Sequence, residues 1–223
     1  MSSPVFVRYS PYTSEHSLTS QLVQCYREVF ADVPWNEWLQ CPVCKAYWGI
    51  KDKEFLHSCQ FRHCGVALVE YWPKDRVNSD LMREIRRDSS AWLTLDENRV
   101  IGFCWGYPID KSTLEAELKI ILPGDKVGYN GLDHLAYQDE VGVVSSHRGQ
   151  KLAKKMVALR HDDFLAKGLK VGVVRTRQLP VPSDTFGWYT TKLGYEIIAR
   201  YPGDDGRVVL ARPLEGLREL LSI

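Results

Sequence analysis

The sequence lacks several features that define large classes of proteins. It has no apolar run as long as about 18 residues, so we expect no segment to span a bilayer. Lysine and arginine total 29 against 28 acidic residues, and a net charge of +1 creates no overall field that draws nucleic acid or an anionic membrane. Repeats and low-complexity tracts are also absent. With 44% hydrophobic and 26% charged residues, the chain has the composition of an ordinary globular protein.

A secretory signal is also missing. The first residues contain no basic segment followed by an apolar stretch, so we expect a cytoplasmic protein. At roughly 150 residues per domain, a length of 223 residues predicts one domain with an insert. We assign residues 1–223 to that domain and residues 35–70 to the insert.

Cysteine is sparse except in this insert, which holds four of the six cysteines. In a reducing compartment such a cluster is more often a metal site than a pair of disulfides. The Cys-Pro-Val-Cys start and the Cys-Gly end look like zinc knuckles, and they predict one structural Zn²⁺. Replacement of Cys59 by His57 or His63 is the alternative ligand set, and a redox-active Cys41–Cys44 pair is the competing interpretation. The four predicted ligands are Cys41, Cys44, Cys59 and Cys64.

The pattern of apolar residues predicts the fold class. Hairpins are predicted at residues 91–107 and 195–212, with one strand–helix–strand unit at 135–175 between them. A helical apolar stripe runs from Leu18 to Phe30 ahead of the insert, and a strand that leaves the cysteine cluster is expected at residues 66–72. This order predicts an α+β fold in which helices flank a mixed, mostly antiparallel sheet.

The most informative stretch runs from Glu140 to Ala153. A strand predicted at residues 135–144 enters a tight turn, and the turn opens a helix predicted at residues 149–167. The first turn of a helix has free backbone N–H groups and the positive end of the helix dipole, so it suits a pyrophosphate. Arg148 adds positive charge there, and Gly149 lets a ligand approach the backbone closely.

This stretch resembles the pyrophosphate loop of the GNAT superfamily of acyl-CoA-dependent N-acyltransferases. The family pattern Arg/Gln-x-x-Gly-x-Gly/Ala is matched by Arg148 and Ala153, whereas Lys151 stands where the family has its middle glycine. Residues 100–107 resemble a strand of the same family, and residues 188–196 resemble its closing motif. The resemblance covers residues 1–34 and 66–212.

The resemblance implies a GNAT-like fold and transfer of an acetyl group from acetyl-CoA to a primary amine. The amine belongs to a small molecule, a protein lysine or a protein N-terminus. It also implies that acetyl-CoA binds in a cleft between splayed strands at 135–144 and 169–175. The cofactor-binding residues that it implies are Val141, Val143, Val144, Arg148, Gly149, Gln150, Lys151, Leu152 and Ala153.

Acetyl transfer needs a neutral amine, a polarised thioester carbonyl and a proton for the leaving thiolate. The resemblance favours Glu140, three residues before Val143, as the base, with Asp139 as second choice. Adjacent strand residues point to opposite faces, so only one of the two acids faces the amine. The family position of the acid holds Thr190 here. Tyr189 takes that role if a local helix irregularity brings it into place, and otherwise water or another group supplies the proton.

A second hypothesis is a non-catalytic CoA-binding or zinc-module interaction protein on the same fold. It is suggested by Lys151 in the loop and by the shifted tyrosine. The sequence does not identify the acceptor amine. We expect no nucleic-acid or membrane partner, and the sequence leaves a homo-oligomer open.

Overall fold

The computed structural model describes residues 3–52, 58–61, 64–123, 133–178, 183–202 and 206–221. No helix in this part of the chain is long and apolar enough to cross a membrane. The chain divides into two compact units. The first comprises Met1–Glu84, Leu93–Phe103 and Gly142–Leu152, and the second comprises Ile85–Trp92, Cys104–Val141 and Ala153–Ile223.

Helices and strands alternate irregularly along the chain. The helices are α1 His16–Ala31, α2 Lys74–Glu84, α3 Lys111–Leu118, α4 Leu152–Ala166, α5 Asp184–Gly187 and α6 Leu217–Leu220. The strands are β1 Val5–Arg8, β2 Leu39–Gln40, β3 Tyr47–Trp48, β4 Val69–Glu70, β5 Ser90–Asp96, β6 Arg99–Asp110, β7 His134–Val143, β8 Val171–Arg177, β9 Glu196–Arg200 and β10 Arg207–Pro213. A 3₁₀ turn at Ser145–His147 precedes α4, and a π-helix at Trp188–Lys192 follows α5.

Seven strands form one sheet in the order β1-β5-β6-β7-β8-β10-β9. Strand β10 is antiparallel to both β8 and β9, whereas β7 and β8 run parallel. The three short strands form a second antiparallel sheet in the order β3-β2-β4. The predicted α+β class, with a mixed and mostly antiparallel sheet flanked by helices, is confirmed.

In the first unit, α1 packs through the apolar stripe that its sequence predicts. The rings of Tyr26 and Phe30 lie 4.5 Å apart, and Tyr26 also stacks on Phe103 at 5.5 Å. The buried Arg27 donates through Nε to the carbonyl of Trp72 at 2.8 Å. These contacts join the segments on both sides of the cysteine insert to the same helix.

In the second unit, one hydrophobic cluster joins α3 to the strands. Leu114 and Leu118 of α3 lie among buried residues that include Tyr107 and Tyr137, whose rings are 5.6 Å apart. The first four residues of β8 are all buried, although their side chains point alternately to the two faces of the sheet. Burial of both faces is typical of a strand in the middle of a sheet.

Two element boundaries differ from the sequence prediction. Helix α4 begins at Leu152 instead of Gly149, because Gly149 and Lys151 have φ angles of 81° and 61°, which no α-helix accommodates. The strand expected at residues 66–72 shrinks to Val69–Glu70, since its partner β2 offers two residues for pairing.

Candidate active site and candidate metal site

The turn between β7 and α4 is shaped by its own backbone. The N–H of His147 donates to the Val144 carbonyl at 3.0 Å, and the N–H of Arg148 donates to the Ser145 carbonyl at 3.3 Å. Gly149 and Lys151 then adopt left-handed conformations. For lysine this conformation costs roughly 1–2 kcal/mol, so the turn keeps a shape that glycine adopts without strain.

Three backbone donors of this turn are unpaired. Within the part of the chain that the structure describes, nothing accepts a hydrogen bond from the N–H of Gly149, Gln150 or Lys151, and all three residues are exposed. They lie directly ahead of α4, a helix of 15 residues. Free N–H groups at the positive end of a helix form a ready seat for a phosphate group.

The other predicted cofactor-binding residues fall into two groups. Arg148 is exposed, and its guanidinium donates to the Val33 carbonyl at 2.7 Å and to the Val143 carbonyl at 3.2 Å, which holds a positive charge beside the turn. The side chains of the second group are buried in the protein, so these residues offer a ligand little besides backbone groups. The second group is Val143, Val144 and Leu152. Val141 and Ala153 are half-buried.

The two candidate bases are neighbours near the end of β7. Asp139 is half-buried, and burial raises its pKa to about 6, although the charge of Arg175 lowers it. The backbone carbonyl of Glu140 accepts a hydrogen bond from Arg160 Nη1 at 3.1 Å. A carboxyl group with a pKa near 6 is poised to take up a proton at neutral pH.

The parallel pairing of β7 and β8 is short. Its register joins Ala136 to Gly172 and Tyr137 to Val173. Beyond these pairs β8 continues alongside β10, with which it pairs as far as Arg177. Gln138 is therefore the first residue of β7 past the paired segment, where the resemblance implies that the strands splay.

Tyr189 lies on the π-helix, whose hydrogen bond from the Leu193 N–H to the Trp188 carbonyl spans 3.2 Å. A π-turn closes over five residues, so it accommodates one residue more than an α-turn. The sequence analysis made a helix irregularity at this point the condition for Tyr189 to act as the acid, and an irregularity is present. The Thr190 hydroxyl, at the family position of the acid, donates to the Phe186 carbonyl at 2.8 Å within its own helix.

The hydroxyl of Tyr189 is buried in a polar network. It accepts a hydrogen bond from Arg160 Nη2 at 3.0 Å and donates one to Gln138 Oε1 at 3.3 Å. Burial raises the pKa of Tyr189, and the charge of Arg160 lowers it. The hydroxyl therefore carries its proton at neutral pH, as an acid catalyst must.

Sequence reasoning missed the partners of Tyr189. Arg160 and Gln138 are buried polar residues, and Gln138 Nε2 donates in turn to the Tyr195 hydroxyl. A Cβ atom at Gly172 would lie 2.7 Å from that hydroxyl, so glycine is required there. The available signal was Arg160 itself, which stands four residues after Met156 on the buried face of α4.

In the first unit, the four predicted ligands come together. Their sulfur atoms all lie within 4.8 Å of one another, with Cys41 and Cys64 at 3.6 Å and Cys44 and Cys59 at 3.5 Å. Four thiolates bound to one zinc ion at about 2.3 Å stand at comparable separations, so the residues fit a tetrahedral Zn²⁺. His57 and His63 lie outside the described residues.

Two tight turns aim the sulfur atoms at a common point. The Lys45 N–H donates to the Cys41 carbonyl at 3.1 Å in the first turn, and the Gly65 N–H donates to the Cys59 carbonyl at 3.0 Å in the second. Burial opposes ionisation of Cys41, yet N–H groups of Cys44 and Val43 lower its pKa to about 6. In the second turn, burial raises the pKa of Cys59 to about 12.

Comparison with known proteins agrees with this geometry. The model of the Acetyltransferase (GNAT) family matches residues 50–177. No curated protein sequence matches the chain. Among solved structures, PaiA N-acetyltransferase from Thermoplasma acidophilum in complex with coenzyme A has a TM-score of 0.54 at 12% identity, with 95% of this chain and 99% of that chain covered.

Two further solved structures are similar. An aminoglycoside 6'-acetyltransferase type Ii has a TM-score of 0.53 at 13% identity, with 94% of this chain and 97% of that chain covered. The NatC complex bound to Gag peptide and CoA has a TM-score of 0.50 at 12% identity, with 94% and 98% covered. These likenesses show a shared fold. Because the family model spans more than half of the sequence, the chain belongs to the GNAT acetyltransferase family.

Proposed function

We propose that the protein is an N-acetyltransferase that moves an acetyl group from acetyl-CoA to a primary amine. The observation that carries the proposal is the turn between β7 and α4, with its unpaired N–H groups at Gly149, Gln150 and Lys151. These donors suit the pyrophosphate of CoA, and Arg148 adds a positive charge beside them. The pantetheine arm then follows β7 back from Val144 toward Val141.

The strand that leads into this turn supplies the base. The sequence alone favours Glu140, but the burial that raises the pKa of Asp139 to about 6 supports Asp139. By strand alternation Glu140 shares a face with Gln138, which binds Tyr189, and Asp139 points to the other face. We propose that Asp139 receives the proton of the attacking amine, on the face of β7 opposite the leaving thiolate. Glu140 is the alternative base, and substitution of each acid in turn distinguishes the two.

Tyr189 supplies the acid. The amine nitrogen forms a bond to the thioester carbonyl carbon, and the carbon–sulfur bond then breaks with its electron pair on sulfur. The sulfur takes the proton of the Tyr189 hydroxyl, while the carboxylate takes a proton from nitrogen. The products are an amide and free CoA, and solvent returns the proton from the base to the tyrosine.

We also propose that Cys41, Cys44, Cys59 and Cys64 hold one structural Zn²⁺. The ion would supply a tetrahedral cross-link to a segment whose described strands are each two residues long. Thiols this close together repel one another when ionised, and a divalent cation removes that repulsion. A reducing, cytoplasmic location, which we infer as well, keeps these thiols available to metal.

The test is CoA release in the presence of a panel of amines that includes small polyamines, aminoglycosides, lysine peptides and peptide N-termini. Acetyl-CoA binding is measured separately by calorimetry. We expect tight binding together with amine-dependent CoA release. Binding without release for any amine would support the non-catalytic interpretation, and absence of binding would overturn both.

A further inference from the structure

Arg160 is a buried cation that the proposed reaction does not yet use. It is 1% exposed and lies near the middle of α4. Its Nη1 donates to the carbonyls of Trp105 at 2.6 Å and Glu140 at 3.1 Å, and its Nη2 donates to Gln138 Oε1 at 2.6 Å and to the Tyr189 hydroxyl at 3.0 Å. Every one of these acceptors is electrically neutral.

The charge of Arg160 is thus left without a paired anion. In the part of the chain that the structure describes, no carboxylate lies within ion-pair distance of its guanidinium, and its buried Nε has no hydrogen-bond partner. A buried charge is costly unless an anion compensates it. Asp139 interacts with Arg160 from beyond ion-pair distance, and a closer anion forms when one of the hydrogen-bonded neighbours of Arg160 becomes negative.

Tyr189 is the neighbour that becomes negative when it acts as an acid. We propose that Arg160 is a positioning residue for catalysis, which holds the Tyr189 hydroxyl at the leaving thiolate and stabilises the tyrosinate formed on proton transfer. This inference rests on the proposed function, because it assigns a role within the same site.

The proton balance is simple. The Tyr189 O–H bond breaks, its proton moves to the CoA sulfur, and its electron pair remains on the phenolic oxygen beside Arg160 Nη2. Gln138 accepts hydrogen bonds from both groups, so it fixes the distance between them. The tyrosinate regains a proton through solvent before the next turnover.

Other ionisable groups also face Tyr189. Besides Arg160, the charges that act on its pKa are those of Cys104 on β6 and Glu140 on β7, and both raise it. The Tyr195 ring stands at right angles to Tyr189 at 4.9 Å, and burial raises the pKa of Tyr195 far above its usual range. Arg160 is therefore the cation among these groups, and its removal should raise the pKa of Tyr189.

The sharpest probe is Gln138→Glu, because it changes charge with almost no change in shape. The new carboxylate lies within reach of Arg160, so it satisfies the guanidinium and keeps the protein folded. It also offsets the positive electrostatic field of Arg160 at Tyr189 and raises the free energy needed to form a tyrosinate. We expect kcat to fall about 10–100-fold, because each unit of added pKa costs about a factor of ten, with KM for acetyl-CoA unchanged.

Arg160→Lys and Arg160→Met complete the series. The lysine variant retains the charge and should recover part of the kcat that the methionine variant loses. Arg83→Met, at an exposed arginine of α2, controls for loss of an arginine and should leave kcat unchanged. Thermal unfolding of each variant separates a folding defect from a catalytic one.

A readout that needs no turnover tests the same idea. In protein labelled with 3-fluorotyrosine, ¹⁹F NMR follows the ionisation of Tyr189, and the spectrum of Tyr189→Phe assigns its signal. We expect Gln138→Glu to move this ionisation to higher pH. An unshifted Tyr189 signal, or an unchanged kcat in Gln138→Glu, would overturn the inference. Absence of acetyl transfer by the wild type would instead overturn the proposed function.

Discussion

The cysteine insert and the region around Tyr189 differ in how they position their candidate functional side chains. In the insert, strands of two residues surround four cysteines, and large side chains such as Val43 and Phe61 are 67% and 46% exposed. Around Tyr189, whole side chains are buried, including Arg160 at 1% exposure. A metal ligand set can order a segment that lacks a core, whereas a buried network orders polar groups through the core itself.

Removal of one sulfur ligand should release the insert as a unit, because its described strands β2, β3 and β4 are each two residues long and supply few backbone hydrogen bonds. A substitution of a polar residue in the buried region should lower kcat before it lowers stability, since the surrounding core positions these polar groups.

The largest effect should come from the acids of β7. Asp139→Asn removes the proposed base and should lower kcat by about 10²–10⁴-fold. Glu140→Gln is the matched neighbour variant, and acetyl-CoA affinity by calorimetry should remain nearly intact in both. A loss confined to Glu140→Gln would transfer the role to Glu140, and full activity in both variants would contradict a carboxylate base at either position.

The pH profile of the wild type should report the same group. A base is active when deprotonated, so kcat should rise as pH increases through about 6, the pKa to which burial raises Asp139. The charges of Arg175 and Arg160 lower that pKa and the charge of Glu117 raises it. Glu117→Gln should therefore shift the rise to lower pH, whereas an inflection that persists in Asp139→Asn would belong to another group.

The insert provides the next largest effect. Cys44→Ser, or removal of metal by a chelator, should lower the free energy of unfolding by more than about 2 kcal/mol and expose residues 35–70 to hydrogen exchange. The turn between β7 and α4 should keep its protection, since its internal bonds, such as that from the Arg148 N–H to the Ser145 carbonyl, involve no residue of the insert. Cys25→Ser, at a buried cysteine outside the cluster, is the control for thiol loss alone.

Elemental analysis decides the identity of the ion. One zinc per chain in protein purified without chelator agrees with the proposed site. If the protein contains no zinc and Cys41 and Cys44 form a disulfide, the metal proposal is contradicted and a redox role is supported. Equal protection of residues 35–70 with and without metal would show that the insert has a core of its own.

Sequence patterns predicted most of the fold because burial follows periodicity. The stripe of α1 gives that helix one apolar face, and the structure confirms α1 and the strand β7 at the predicted places. Backbone conformation was harder to predict. Lys151 has a φ of 61° where its residue type favours a negative value, so the start of α4 was placed three residues too early.

The side-chain network of Tyr189 was beyond prediction from local patterns. Arg160, Gln138 and Tyr189 are far apart in sequence, and only the fold brings their polar atoms together. The cysteine cluster was the reverse case, because tight turns between nearby cysteines restrict where their sulfur atoms can lie. Local constraints are readable from a sequence, and long-range polar contacts are not.

A smaller effect is expected from the charge beside the turn. Arg148→Glu places a negative charge next to the proposed pyrophosphate and should weaken acetyl-CoA binding by about tenfold at low salt, with less loss as screening increases. Arg148→Gln separates loss of charge from reversal of charge. Lys74→Glu reverses an exposed charge on the first turn of α2 and should leave affinity unchanged. An unaltered calorimetric affinity in Arg148→Glu would count against the placement of the cofactor.

The smallest effect should come from Lys151, where charge and backbone shape act on the same turn. Its left-handed φ of 61° is strained for lysine, and Lys151→Gly relieves that strain, while Lys151→Ala keeps it. Both variants lose the ammonium group. If the backbone N–H groups bind the pyrophosphate, the glycine variant should bind acetyl-CoA about 2–5-fold more tightly than the alanine variant, which corresponds to less than about 1 kcal/mol. Equal affinities in the two variants, both weaker than wild type, would show that the ammonium group and not the shape of the turn holds the phosphate.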